Sequence, residues 1–200
     1  MANVGNTRLG AAERRAQLLE TARSVFGENG FSATSMNDIA KEAGVTKPVL
    51  YQHFASKHDL FNELLAETAE QLETHLRDEI SAGGTGREKV ERGVRAYVSF
   101  FDQSPYRFRV LYGEGVRTDP DFSQRLNRVE DSFHEFAAAQ IDIEEIDQQH
   151  RLLIARSISG MLESGVGYWI QTGMALSASE VAATLTALLW GGLRIKPANN

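Results

Sequence analysis

The 200-residue chain has no cysteine, which excludes a disulfide framework, a thiolate zinc site and a cysteine nucleophile. That absence fits a reducing compartment, and a cytoplasmic location is expected. No apolar run approaches the ~18 residues that a membrane-spanning helix needs, so no membrane partner is expected. Residues 1–10 are polar, lack the apolar core of a signal peptide, and are expected to form a disordered N-terminal arm. Alternating strand patterns joined by hairpin turns are missing as well, as are internal repeats and low-complexity tracts.

What remains is a chain of ordinary globular composition, long enough for one large domain or a small domain plus a larger one. Its net charge is −6, and that charge is unevenly placed. Residues 1–60 carry seven Lys/Arg against six Asp/Glu, whereas residues 61–200 carry fourteen against twenty-one. Affinity for a nucleic acid depends on where cations meet phosphates and not on the whole-chain sum. The split suits a small nucleic-acid-facing head on an acidic body.

Helix-start signals recur throughout. A first helix is expected over about Ala11–Glu28, with Leu18, Ala22, Val25 and Phe26 on one face and Asn29-Gly30 ending it. Ser35 with Asp38, and Ser56 with Asp59, resemble capping boxes with Asp in place of Glu. Residues 81–86 (Ser-Ala-Gly-Gly-Thr-Gly) are the clearest breaker. After it, Thr85/Glu88, Ser104-Pro105, Asp119-Pro120, Asp142/Glu145 and Ser177/Glu180 each read as an N-cap arrangement. The fold class is therefore all-α with about nine helices. Residues 11–55 make a three-helix head, residues 56–80 a linking helix, and residues 81–200 a larger helical body.

The head carries the most specific pattern. Ile39, Ala40 and Ala43 form an apolar stripe at helical spacing. Gly44 can take φ > 0 just past a helix end, Val45 plugs the turn, and Thr46 opens a second helix with Lys47 and Pro48 in its first turn. Leu50 and Phe54 point back at the first helix, leaving Lys47, Tyr51, Gln52 and His53 facing outward. A buried stripe supporting an exposed polar helix is the layout of a helix-turn-helix, whose second helix enters the DNA major groove. Lys47 can neutralise a phosphate or donate to guanine, Tyr51 offers a hydroxyl to phosphate, and Thr46 either caps its helix or touches a base, capping being favoured.

The stretch Phe31-x-x-Thr34-Ser35-Met36-x-x-Ile39-Ala40-x-x-Ala43-Gly44-Val45-Thr46-Lys47-x-x-Leu50-Tyr51-x-His53-Phe54-x-Ser56-Lys57-x-x-Leu60 resembles the tetracycline-repressor (TetR) family of bacterial transcriptional regulators. The likeness is dense and gap-free, and with the preceding helix it covers about residues 11–65. It implies a homodimer with one DNA head per subunit, an effector pocket in each helical body, and a four-helix bundle made by the last two helices of both subunits. Carried over by position, Ser35 and Asn37 would sit near phosphate, and Thr46, Lys47 and Pro48 would lead the recognition helix towards base edges. Tyr51 and His53 would meet the backbone, and Lys57 would contact phosphate. Met36 departs from the family, which often has a hydroxyl residue there. The implied function is a sequence-specific regulator, a repressor on a pseudo-palindromic operator released by a small-molecule effector.

The body gives broader signals. Aromatic residues crowd residues 97–136, and ordinary core explains most of them; Phe100, Phe101, Phe108, Tyr112 and Phe133, with Met161 and Trp169, are the candidates for a pocket lining. The two terminal helices are apolar around so much of their circumference that more than one side must be covered. A second subunit would cover them through Ile154, Ile158, Leu185, Leu189 and Trp190; a central core position in a monomer is the alternative. No enzyme site assembles. His134-Glu135 begins like a zinc-protease helix, but Ala138 stands where the second histidine belongs. Gly83-Gly84-Thr85-Gly86 is too short for a phosphate loop. The five histidines are scattered, and neither a metal nor a cofactor is expected.

Overall fold

The computed structural model describes residues 10–192, and all regular structure among them is helical. The expected N-terminal arm, and the apolar Leu193 and Ile195 of the last helix, fall outside the described residues. Ten helices follow one another: α1 (Ala11–Ala33), α2 (Met36–Glu42), α3 (Lys47–His53), α4 (Lys57–Ser81), α5 (Gly86–Gln103), α6 (Tyr106–Tyr112), α7 (Glu114–Thr118), α8 (Pro120–Ala139), α9 (Gln148–Gln171) and α10 (Ala178–Gly192). Gly113 both ends α6 and begins α7, so the count differs from about nine only in whether that bend divides one segment or two.

Local sequence sets the boundaries. Ser35 Oγ accepts from the Asp38 amide while the Asp38 carboxylate accepts from Ser35 N, a reciprocal box that starts α2. Thr85 with Glu88 and Ser177 with Glu180 start α5 and α10 in the same way. Ser56 caps α4 through Asp59 N. Gly30 leaves the helical region at φ +78 and kinks α1, and one turn of helix resumes beyond it. The start of α9 differs from expectation. Asp147 caps it by accepting from His150 N, and the Asp142/Glu145 pair lies in the preceding loop, where Glu145 sits at φ 66.

Packing proceeds outward from α4. In the head, Leu18, Ala22 and Phe26 of α1 close over Ile39 and Ala40 of α2 and Leu50 of α3, all buried. The first turns of α4 complete that core with Leu60, Phe61 and Leu64, and its later turns carry Leu72 and Leu76 into the body. There α4 packs against α5 and α8, while α5 also packs against α10 and α8 against α9. Arg15 makes a bidentate bond to Glu63 and lies 4.8 Å over the Phe54 ring, fixing α1 to α4.

Helices α1 and α6 approach closely, and Gly27 makes that possible: a Cβ there would lie 2.3 Å from Tyr106 Cβ. Tyr106 Oη then donates to Glu28 Oε1 at 3.0 Å. Alanine within a helix ordinarily gains about 0.5–1 kcal/mol over glycine. At position 27 the overpacking, typically about 1–3 kcal/mol, outweighs that gain. Gly27→Ala is therefore expected to lower stability in urea titration followed by circular dichroism, with the helical signal of the folded state unchanged.

Candidate nucleic-acid interface and the cavity behind it

The α2–turn–α3 unit exposes Asn37, Thr46, Lys47, Pro48 and Tyr51 of the expected DNA residues. Gly44 turns the chain at φ +65, and Val45 N donates back to Ala40 O at 3.0 Å. Leu50 is fully buried, and Thr46, Lys47, Pro48, Tyr51 and Gln52 are exposed, Tyr51 at 44%. Lys47 Nζ lies 5.9 Å over the Tyr51 ring and makes no ion pair among the described residues, so its charge faces solvent. Thr46 occupies the N-cap of α3 but its hydroxyl makes no capping bond, contrary to the capping use favoured from sequence; Pro48 in the first turn leaves fewer N–H groups to satisfy.

The other candidates are placed less freely. Asn37 is exposed at the start of α2. Ser35 is exposed too, but its hydroxyl donates to Asp38 Oδ2 at 2.6 Å, which holds that carboxyl below its ordinary range. His53 is half-buried beside Phe54. Met36 belongs to the head core. Lys57 turns inward: Nζ donates to Phe31 O and Thr34 O, each at 2.9 Å, and lies 4.3 Å over the Phe31 ring. Those bonds tie the end of α1 to the start of α4. His58 next to it stacks on Phe122 at 4.4 Å, with Nε2 3.3 Å from Asp119 Oδ2 and 3.8 Å from an Asp121 carboxylate oxygen. This trio is the one group among the described residues whose geometry could hold a metal ion. Its evident role is to join α4 to the start of α8.

Behind the head lies a cavity of about 430 Å³. That is within the range of small-molecule sites, roughly 300–1,000 Å³. Its walls come from Leu72 and Leu76 of α4, Val94 and Tyr97 of α5, and Leu111 and Tyr112 of α6. Leu126, Val129 and Phe133 of α8, Ile154, Ile158 and Leu162 of α9, and Leu189 and Trp190 of α10 complete them. Most polar groups in the wall are satisfied by neighbours. Glu73 pairs with Arg77 at 2.7 Å, Glu163 with Arg117 at 2.9 Å, and Lys89 with Gln140 at 3.1 Å. Glu130 has no such partner, and burial, reinforced by Glu163, pushes its carboxyl up to about 7. His134 is buried and bonds Ser159 Oγ through Nε2 at 3.0 Å; burial lowers its pKa.

Of the residues expected to line a pocket, Tyr112 and Phe133 border this cavity. Phe100, Phe101, Phe108, Met161 and Trp169 do not. Phe101 is fully buried among Tyr97, Phe100 and Phe108, and Arg107 lies over Phe100 at 4.3 Å. Phe108 abuts Gly167, Met161 packs half-buried against the core, and Trp169 Nε1 donates to Leu176 O at 2.8 Å to close the α9–α10 connection. The aromatics fill the core, whereas the cavity wall is mainly aliphatic. The missed signal was the i, i+4 pair Leu72/Leu76 on α4.

Of the residues expected to face a second subunit, Ile154, Ile158, Leu189 and Trp190 border the cavity, and Leu185 packs into the hollow at Gly165. The outward faces of α9 and α10 carry Leu153 (62% exposed), Tyr168 (70%) and Leu188 (61%) instead, with Ser157, Gly160 and Ser164 exposed along α9. Helical period explains this: positions 154, 158 and 162 share one face of α9, and 153, 157, 160, 164 and 168 share the other. Among the described residues no helix is long and apolar enough to cross a membrane.

A family model described as bacterial regulatory proteins, tetR family, matches residues 18–64. The transcriptional activator FasR of Mycolicibacterium smegmatis is 27% identical over 196 residues, covering 98% of this chain and 90% of that protein. A solved TetR-like transcriptional regulator from Rhodococcus sp. RHA1 superposes with a TM-score of 0.77 at 27% identity, covering 94% of this chain and 100% of the other. The ketosteroid transcriptional regulator KstR2 of Mycobacterium tuberculosis superposes with a TM-score of 0.72 at 25% identity, covering 92% and 96%. Its sequence is termed a transcriptional repressor. Residues 18–64 thus carry the helix-turn-helix of the tetR family, and the chain is similar nearly end to end to transcriptional regulators of that family.

Proposed function

We propose that the protein is a dimeric regulator that reads a pseudo-palindromic operator, as a repressor, and is released from it by a small apolar effector held in the cavity. The observation that carries this reading is the exposed Thr46–Lys47–Pro48–Tyr51 face on a helix anchored by fully buried Leu50. In a two-fold dimer the two copies of α3 would sit ~34–36 Å apart, one turn of DNA. The second subunit would cover the outward face of α9 and α10. An effector releases DNA when it binds the non-DNA state more tightly, and a ~100-fold preference corresponds to about 2.7 kcal/mol of coupling. The ketosteroid regulator among the relatives supports an uncharged, largely apolar effector, and the aliphatic cavity wall agrees.

Selection of random duplex DNA on the purified protein is expected to return a palindromic site, and gel shifts on that site test the head. Each Lys–phosphate contact contributes about 0.9 to the log–log salt slope. Lys47→Ala is expected to weaken operator binding and flatten that slope by roughly 1.8 per dimer. Lys57→Ala, which removes the tie to Phe31 O and Thr34 O, is expected to lower the melting temperature while leaving the slope unchanged. A wild-type protein that retains random and selected DNA equally would refute specific reading.

The dimer face has its own test. Leu188→Asp is expected to yield monomers in sedimentation velocity, with the circular dichroism spectrum retained, because it places a charge where apolar side chains would meet. Operator affinity should fall with it, since one half-site remains per molecule.

A further inference from the structure

The cavity wall is rich in hydrogen-bond donors that the protein itself leaves unanswered. Tyr97 Oη and Tyr112 Oη lie 3.4 Å apart, so one hydroxyl donates to the other and one O–H of the pair is left to give. The Trp190 indole N–H, a donor with no acceptor capacity, is buried without a partner. His134 is nine-tenths buried and lines the same cavity, and its Nδ1, a donor or an acceptor according to the tautomer, has no partner. Glu130 borders the cavity from α8, close to both tyrosines.

The charges around Glu130 settle its role. On α9 it faces Glu163, whose cation is Arg117 of α7, and Arg156, which is held by Asp131 at 2.6 Å. Glu73 of α4 is answered by Arg77, α5 contributes Tyr97 and, near its start, Lys89 bonded to Gln140, and α6 contributes Tyr112; burial raises the pKa of both tyrosines. An ionised carboxylate at position 130 would meet like charge and apolar wall, offset only by Arg156, which Asp131 already holds. A ligand that displaces water from the wall strengthens that preference.

We infer that the Glu130–Tyr97–Tyr112 end of the cavity is a subsite for the carbonyl oxygen of an uncharged, largely apolar ligand, which accepts from the free O–H of the tyrosine pair and from the protonated form of the Glu130 carboxyl. This rests on the reading of the cavity as the effector site, and it assigns the group in the ligand that the protein recognises. The same subsite sits against Tyr112 at the end of α6, the helix that packs on α1 of the head.

Progesterone (two carbonyls, no charge) and dodecan-2-one are the probes, titrated by tryptophan fluorescence into the full-length protein between about pH 6 and about pH 9. If only the protonated carboxyl binds, affinity falls about tenfold per pH unit above about 7, or roughly 100-fold by pH 9. Glu130→Gln, whose amide still donates but cannot ionise, is expected to bind with an affinity independent of pH. Glu130→Leu is expected to bind at least about tenfold more weakly than wild type at pH 6, which is about one hydrogen bond's worth. Burial lowers the His134 pKa, which favours its neutral form over this range. The proposal is overturned if wild-type affinity is flat with pH, if a folded Glu130→Gln protein loses binding, or if neither ketone binds. It is equally overturned if imipramine, a protonated amine, binds more tightly as pH rises and fails with Glu130→Gln. Operator gel shifts separate the two readings. Ketone binding with the expected pH profile but no effect on DNA keeps the subsite and sinks effector control. Release of DNA by some other compound, with no ketone binding, does the reverse.

Discussion

Four phenylalanines hold the head to the body, and the orientation of the exposed face of α3 relative to the body depends on them. Phe26 and Phe31 of α1, Phe61 of α4 and Phe122 of α8 meet with ring centroids 4.8–6.0 Å apart. Edge-on and tilted aromatic contacts of this kind are directional, so they fix relative rotation as well as distance. The cluster is locked from both sides. Lys57 lies over Phe31 and binds the carbonyls of Phe31 and Thr34, while His58 stacks on Phe122. The kink at Gly30 is what lets Phe31 turn down into the cluster, and Gly115 leaves the room it needs, since a Cβ there would lie 2.8 Å from Phe31 Cβ.

This joint lies on the path between the exposed face of the head and the cavity. Two elements touch both regions. Helix α4 passes Phe61 to the joint and Leu72 and Leu76 to the cavity, and α6 presents Leu111 and Tyr112 to the cavity while packing on α1. A ligand can move the head only if it binds one arrangement of these elements more tightly than another. Well-packed interiors favour discrete rearrangements over gradual deformation. The α1–α6 seam has little slack, because Gly27 and Tyr106 are already in contact.

The head was readable in sequence because its instructions are local. A capping box at Ser35/Asp38, a positive φ at Gly44 and an apolar i, i+4 pair at Leu50/Phe54 each specify structure within a few residues. The inward turn of Lys57 was not readable, since its partners are carbonyls 23 and 26 residues away. The body shows the same limit. Helices α9 and α10 were recognisably apolar, but which apolar residues face the cavity and which face outward follows from helix rotation, fixed by distant contacts such as Leu185 in the hollow at Gly165. Aromatic richness misdirected the pocket reading for a related reason. Large rings such as Phe101 fill space and are drawn to the densest core, so the rim of a cavity falls to aliphatic chains.

The unsatisfied polar atoms also differ in kind from one region to the other. Arg23 and Arg107 each have an orphaned Nε, but their terminal nitrogens are engaged, Arg23 with Glu20 and Glu67 and Arg107 with Phe100 O. A guanidinium with five donors tolerates one idle N–H. The indole of Trp190 has a single N–H and so nothing to fall back on. Burying such a group without a partner costs about 1–3 kcal/mol. The unanswered N–H of Trp190 falls where the wall is largely apolar and a ligand could supply the missing acceptor. A cavity optimised only for the stability of the fold would carry leucine or phenylalanine at position 190 and an uncharged residue at position 130.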